Sequence, residues 1–154
     1  MNSERRVESE LRGDWLRANI EIPGTKPAEV LAAFYEADRL RQWWGGELIS
    51  KPLEDGAYIV HFAQLGQTMR GKVTSHVPGE LLTFTWAWDH EPDIQGLVVT
   101  VRAVPTADGA QLELEHGPYT EATRGGAQGH REGWEYFLPR LVDHLTQADL
   151  STEG

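Results

Sequence analysis

Two histidines in the last third of the 154-residue chain, His116 and His130, are the side chains best suited to proton chemistry. An imidazole in apolar surroundings is the group most easily tuned to take or give a proton near neutral pH. His116 ends the run LELEHG (112–117), where Leu112, Leu114 and His116 alternate with Glu113 and Glu115. That period of two marks a strand with one buried side. His130 opens the run GHREGWEYFLPRLVDHL (129–145), in which His130, Gly133, Trp134, Phe137, Leu138, Leu141 and Leu145 recur at helical spacing. A helix with this aromatic-rich stripe must lie on something apolar, and the sheet containing His116 is the expected partner. The two imidazoles would then approach each other or a shared ligand. Because buried polar groups are usually just paired, histidines that orient a ligand or pack the core are preferred to catalytic ones.

Six tryptophans, Trp15, Trp43, Trp44, Trp86, Trp88 and Trp134, are many for this length. Each brings a large flat surface and one N–H to satisfy, so it fills a core or lines a pocket for a flat apolar ligand. Strand alternation assigns the inward faces: Tyr58, Val60 and Phe62; Met69, Gly71 and Val73; Leu82, Phe84, Trp86 and Trp88; Val99, Val101 and Ala103. The resulting interior is apolar and aromatic, with the Tyr58 hydroxyl, the indole N–H groups and the two imidazoles as its polar tips. Candidate ligand-binding residues are therefore Trp43, Trp44, Tyr58, Val60, Phe62, Met69, Phe84, Trp86, Trp88, Val99, Val101, His116, His130, Trp134, Phe137 and Leu138. His116, His130 and Tyr58 are the acid–base candidates if a reaction occurs. Of the adjacent Trp43 and Trp44, one is expected in the core and the other at the rim. Trp134 is expected to be core, with Gly133 letting the helix approach the sheet closely.

Metal and cofactor signatures are missing. His61, His90, His116 and His130, with Asp89, Glu91 and Asp93, show none of the close convergent spacings of a zinc site, and His61 should face outward. There is no G-x-S-x-G, P-loop or G-x-G-x-x-G pattern, so neither a metal nor a cofactor is expected. The absence of cysteine removes disulfides and thiol chemistry and fits a cytoplasmic protein. A formal charge of −10 argues against nucleic-acid and anionic-membrane partners, which require clustered Lys and Arg. No run has the length of a signal-peptide core or a membrane span.

The elements that position these residues follow from periodicity. Residues 1–13 are polar and aperiodic and read as a mobile tail, followed by a single domain over 14–150 and a flexible end at 151–154. WLRANIEI (15–22) is a first strand, and Pro27 can open a helix carrying Val30, Leu31 and Phe34 on its apolar stripe. A second short helix from Asp38 ends at Gly45 and Gly46. Six strands follow between 46 and 116, joined by short turns, with the polar loop 89–96 as a mobile rim. Within the last helix, Pro139 removes a backbone hydrogen bond to the Glu135 carbonyl at a cost of about 3 kcal/mol. Gly125, Gly126 and Gly129 weaken its first turns by about 1 kcal/mol each.

This order, with RLRQWWGG (39–46), GKVTSHVPGELLTFTW (71–86), LELEHG (112–117) and Gly133-Trp134, resembles the START/Bet v 1-like (SRPBCC) superfamily. Within it, the chain is similar to domains like the C-terminal domain of the activator of Hsp90 ATPase, over about residues 15–148. The resemblance implies an α+β helix-grip fold: a curved antiparallel sheet of about seven strands around a long C-terminal helix, with two short helices after the first strand. It also implies a hydrophobic cavity, and hence a carrier or sensor of a small hydrophobic or aromatic molecule. Two alternatives accompany it: a polyketide cyclase or aromatase-like enzyme, and a protein-interaction module of the co-chaperone kind. The chain lacks the separate N-terminal domain of the eukaryotic co-chaperone, which argues against an Hsp90-type partner. A homodimer is left open.

Overall fold

The alternating segments pair into one antiparallel sheet in the computed structural model, which describes residues 7–91 and 95–153. Its eight strands are β1 (Glu8–Arg12), β2 (Trp15–Pro23), β3 (Glu47–Leu48), β4 (Ala57–Phe62), β5 (Gln67–Val77), β6 (Leu81–Trp88), β7 (Leu97–Pro105) and β8 (Gly109–Gly117). They lie in the order β1-β2-β8-β7-β6-β5-β4-β3. The single long-range step joins β2 to β8, so that Leu16 faces His116 and Ile20 faces Leu112. Every other pairing is between chain neighbours, as short turns dictate.

Four helices complete the fold: α1 (Pro27–Tyr35), α2 (Ala37–Leu40), α3 (Pro52–Asp55) and α4 (Ala127–Glu153), the last preceded by a 3-10 turn at Arg124–Gly126. Pro27 occupies the first turn of α1, and the Glu29 carboxylate accepts the Lys26 N–H at 3.1 Å, which satisfies a donor the helix leaves free. Helix α4 crosses the concave face of the sheet. Its Leu138, Leu141, Val142 and Leu145 are buried in one core with the inward residues of β2 and β6–β8. The helix-grip architecture expected from the sequence is the one observed.

Several local expectations change. Residues 8–12 do not form a tail: they pair with β2 from Glu8↔Asn19 to Arg12↔Trp15, giving eight strands rather than seven. This edge is pinned to α4, where Arg131 Nε donates to Ser9 Oγ at 2.9 Å, its terminal nitrogen donates to the Ser9 carbonyl at 3.0 Å, and the Ser9 hydroxyl bonds the Glu135 carboxylate. Residues 1–6 of the expected tail lie outside the described residues, as do 92–94 of the 89–96 loop and residue 154. At the other end the helix continues to Glu153, so 151–153 are helical rather than irregular, and α4 runs through Pro139 without interruption. Helix α2 stops at Leu40 instead of reaching Trp44, and the expected strand 46–53 shrinks to Glu47–Leu48 before α3.

Strand β5 bends at a register shift between Val73 and Ser75. Close by, a Cβ on Gly71 would stand 1.8 Å from the Thr85 carbonyl oxygen, so only glycine allows β5 and β6 to meet there. Phe62 of β4 and Trp86 and Trp88 of β6 face the first half of α4 across a cavity at this end of the sheet.

Candidate functional site

Between the β4–β6 end of the sheet and the N-terminal half of α4 is a cavity of about 230 Å3. Trp44, Phe62, Trp86 and Trp88 line it from the sheet side, and His130, Trp134 and Phe137 from the helix. Leu65, in the β4–β5 turn and 61% exposed, stands at the mouth. The lining contains no Asp, Glu, Lys or Arg.

The tryptophans hold one another at fixed angles. Trp44 lies 5.3 Å from Trp134 and 6.0 Å from Trp86, and Trp88 meets Trp86 nearly at a right angle, 5.7 Å away. Such offset and edge contacts are the arrangements the ring quadrupoles favour. Trp43 and Trp44 do not divide between core and rim: both are buried and stacked at 5.2 Å with planes 8° apart. Helix α2 ends at Leu40, so a tight turn carries both residues and the 100° step of a helix does not separate them. Trp43 donates its N–H to the Ala33 carbonyl at 2.9 Å and is structural, while Trp44 reaches the cavity.

Gly133 plays the opposite role from the expected one. A Cβ built on it meets nothing within 4 Å, and the same holds for Gly129 one turn earlier. Both residues line the cavity. The glycines therefore keep space open above the tryptophans and do not bring helix and sheet together. An interior helical glycine costs roughly 0.5–1 kcal/mol relative to alanine, and here that cost accompanies an open site.

The two histidines come together as their spacing suggests. Their rings stack 4.5 Å apart with planes 7° from parallel. His116, fully buried on β8, accepts the Trp134 indole N–H at Nδ1 over 3.1 Å. An indole only donates, so a neutral His116 carries its proton on Nε2. That Nε2 is buried and has no partner among the described residues, and the same is true of the Trp86 indole nitrogen. His130 lines the cavity, and its Nδ1 is 2.8 Å from the Tyr119 hydroxyl. Burial lowers the His130 pKa to about 4. Burial, with His130 as a like charge beside it, lowers that of His116 well below the ordinary range. Both rings are neutral at pH 7.

Tyr58 is not brought to the cavity. Its hydroxyl donates to the Phe34 carbonyl at 2.5 Å, its ring stacks on Phe84 at 3.8 Å, and burial raises its pKa further. Val60, Met69, Phe84, Val99, Val101 and Leu138 are likewise core residues outside the lining. Of the sixteen candidates, the structure assembles Trp44, Phe62, Trp86, Trp88, His130, Trp134 and Phe137 around the cavity, with His116 stacked behind His130. Leu65, Gly129 and Tyr119 were not apparent from sequence. Tyr119 is placed by the turn after β8, where its N–H donates to the Asp14 carbonyl at 2.6 Å. Among the described residues no three His, Cys, Asp or Glu side chains converge as a metal site, and no helix is long and apolar enough to cross a membrane.

A wider hollow of about 480 Å3 lies on the outer face of β5–β7. Unlike the inner cavity it carries charged side chains, Arg70, Lys72 and Asp89, among an otherwise largely apolar lining, and Arg70 is paired to Asp89 at 3.0 Å. An apolar ligand is better matched by the inner cavity.

A helix-spanned sheet with an aromatic cavity beneath the helix agrees with a match over residues 24–146 to the family model for activator of Hsp90 ATPase homolog 1-like protein. The chain belongs to this family. No curated protein matches it. Among solved structures, MLL2253 from Mesorhizobium loti is 22% identical, with a TM-score of 0.75 over 86% of this chain and 97% of its own. The Aha1 dimer from Colwellia psychrerythraea is 20% identical, with a TM-score of 0.71 over 85% and 95%. CalU16 from Micromonospora echinospora is 21% identical, with a TM-score of 0.65 over 96% and 88%. At these identities the likeness shows the shared fold of this activator-like family member.

Proposed function

We propose that the chain binds a small, uncharged aromatic molecule in the cavity between β4–β6 and α4, as a carrier or sensor. The observation that carries this reading is a lining of four tryptophans and two phenylalanines without a charged side chain, held open by Gly129 and Gly133. Apolar walls with few polar groups are the usual composition of small-molecule sites. At about 230 Å3 the space is below the roughly 300–1,000 Å3 of sites for drug-sized ligands, which favours a mono- or bicyclic compound over a long reactive chain.

The electrostatics favour binding over acid–base catalysis. An effective general base has a pKa near the working pH, whereas that of His130 is about 4. Neither His116 nor Tyr58 reaches the cavity. Of the protein partners considered, a second copy of the chain has the support of the dimeric Colwellia relative. No feature of the cavity favours an Hsp90-type chaperone.

Calorimetric titration with tetralin, a bicyclic hydrocarbon, tests the reading in the wild-type protein and in Gly133→Leu. Saturable binding to the wild type, weakened at least tenfold by a side chain in the open space, is expected. Equal binding to both proteins would place the hydrocarbon elsewhere.

A further inference from the structure

Two buried donors in this region have no acceptor among the described residues: the Trp86 Nε1–H and the His116 Nε2–H. The second is a donor because the first nitrogen of that ring is already committed to the Trp134 indole. Buried polar groups are nearly always paired, so two orphans of the same sign in one cluster call for an explanation. Their rings are neighbours, with centroids 4.8 Å apart. His130 covers both, stacking on His116 at 4.5 Å and meeting Trp86 edge-on at 5.5 Å.

His130 also divides space. It lines the 230 Å3 cavity on one side and a smaller one of about 80 Å3 on the other, and the two share Trp86 and Trp88 as walls. On its free side the chain is glycine: Gly126 approaches the His130 ring only at 3.7 Å from its missing Cβ position, and Gly129 has open space. Among the described residues its hydrogen-bond partner is the Tyr119 hydroxyl. The imidazole thus stands between the two spaces and against the two rings that carry the unpaired donors.

We propose that the ligand is a small aromatic compound bearing an acceptor oxygen, as in aryl ketones and quinones, with that oxygen received by the His116 Nε2–H and Trp86 Nε1–H after His130 turns aside. The inference rests on the cavity being the ligand site. Two N–H donors match a neutral carbonyl oxygen and not an ammonium, which can only donate; the Glu91 carboxylate lines the smaller space on the far side of His130. The apolar part of the compound lies among the tryptophans, and each donor supplies about fivefold to tenfold in affinity, the usual net value of a neutral hydrogen bond.

The test compares 1-tetralone with tetralin, which has the same ring skeleton without the oxygen, by calorimetric titration. The wild type should prefer the ketone by at least tenfold. Trp86→Phe removes one donor. His116→Met removes the other, because a thioether can accept weakly from the Trp134 indole in place of Nδ1 and has no N–H to give. Each variant should narrow the ketone-to-hydrocarbon ratio about fivefold, with circular dichroism verifying the fold. A wild-type ratio near one would overturn the acceptor while leaving the cavity as a site. A preference that persists in both variants would overturn the two assigned donors. Binding of neither compound would count against the cavity itself, and the inference would fall with it.

Discussion

His116 and His130 stack face to face at 4.5 Å, one bound to an indole N–H and the other to a phenol. Two rings so close and so buried cannot both carry charge without cost, and the protein keeps them neutral. This fixes the direction of its acid response. The folded-state pKa of His130 is about 4, against 6.5 when unfolded, and that of His116 is also lowered. Below pH 6.5 the unfolded chain binds more protons than the folded one, so stability falls as pH drops from about 6.5 toward 4. His130 alone contributes a loss on the order of 3 kcal/mol across that window. Urea denaturation at pH 7.5 and pH 4.5 should show this loss, and His130→Phe should reduce it.

The glycines of α4 should trade stability against binding. Gly133→Ala places a methyl in open space and improves helix propensity, so it should raise stability by about 0.5–1 kcal/mol. It should also lower the affinity for tetralin by occupying part of the cavity. Thermal melts and titrations on the same preparation check both effects; a gain in stability with unchanged affinity would separate the glycine from the site.

Tyr58 provides the converse case. Tyr58→Phe strips the Phe34 carbonyl of its buried donor and should cost about 1–3 kcal/mol. Because Tyr58 lies outside the cavity lining, the binding of tetralin should be unchanged at temperatures where the variant is folded.

The clamp between β1 and α4 should be local. Arg131→Ala deletes both bonds from α4 to Ser9 that the guanidinium makes and leaves the strand held by its β2 ladder and the Ser9 hydroxyl bond to Glu135. Hydrogen exchange at residues 8–12 should accelerate at least tenfold, while exchange in β6–β8 stays as it is.

Much of this architecture is written in periodicity. The alternation of β4–β8 identified the buried faces correctly, because each strand has one apolar side, and the helical stripe of 130–145 placed His130 opposite His116. Strand β1 escaped because Glu8, Glu10 and Arg12 charge one face and the other offers only Ser9 and an exposed Leu11; it is an edge whose order comes from backbone pairing and from Arg131, not from burial. Trp43 and Trp44 were misassigned because a turn, rather than a helix, carries them. Gly133 was read as a point of close approach, since sequence cannot distinguish a glycine that lets backbones touch, as Gly71 does, from one that keeps space empty. Tyr119 reaches His130 through a turn that no periodicity describes.

The indole N–H resonances give the most direct test of the central claim that the cavity beneath α4 is the ligand site. In a nitrogen-15 correlation spectrum of the uniformly labelled protein, six indole signals can be followed as 1-tetralone is added. Trp44, Trp86, Trp88 and Trp134 should shift together and saturably, while Trp15, outside the cavity, stays in place. Shifts confined to Trp15, or none at all at saturating ketone, would contradict the account.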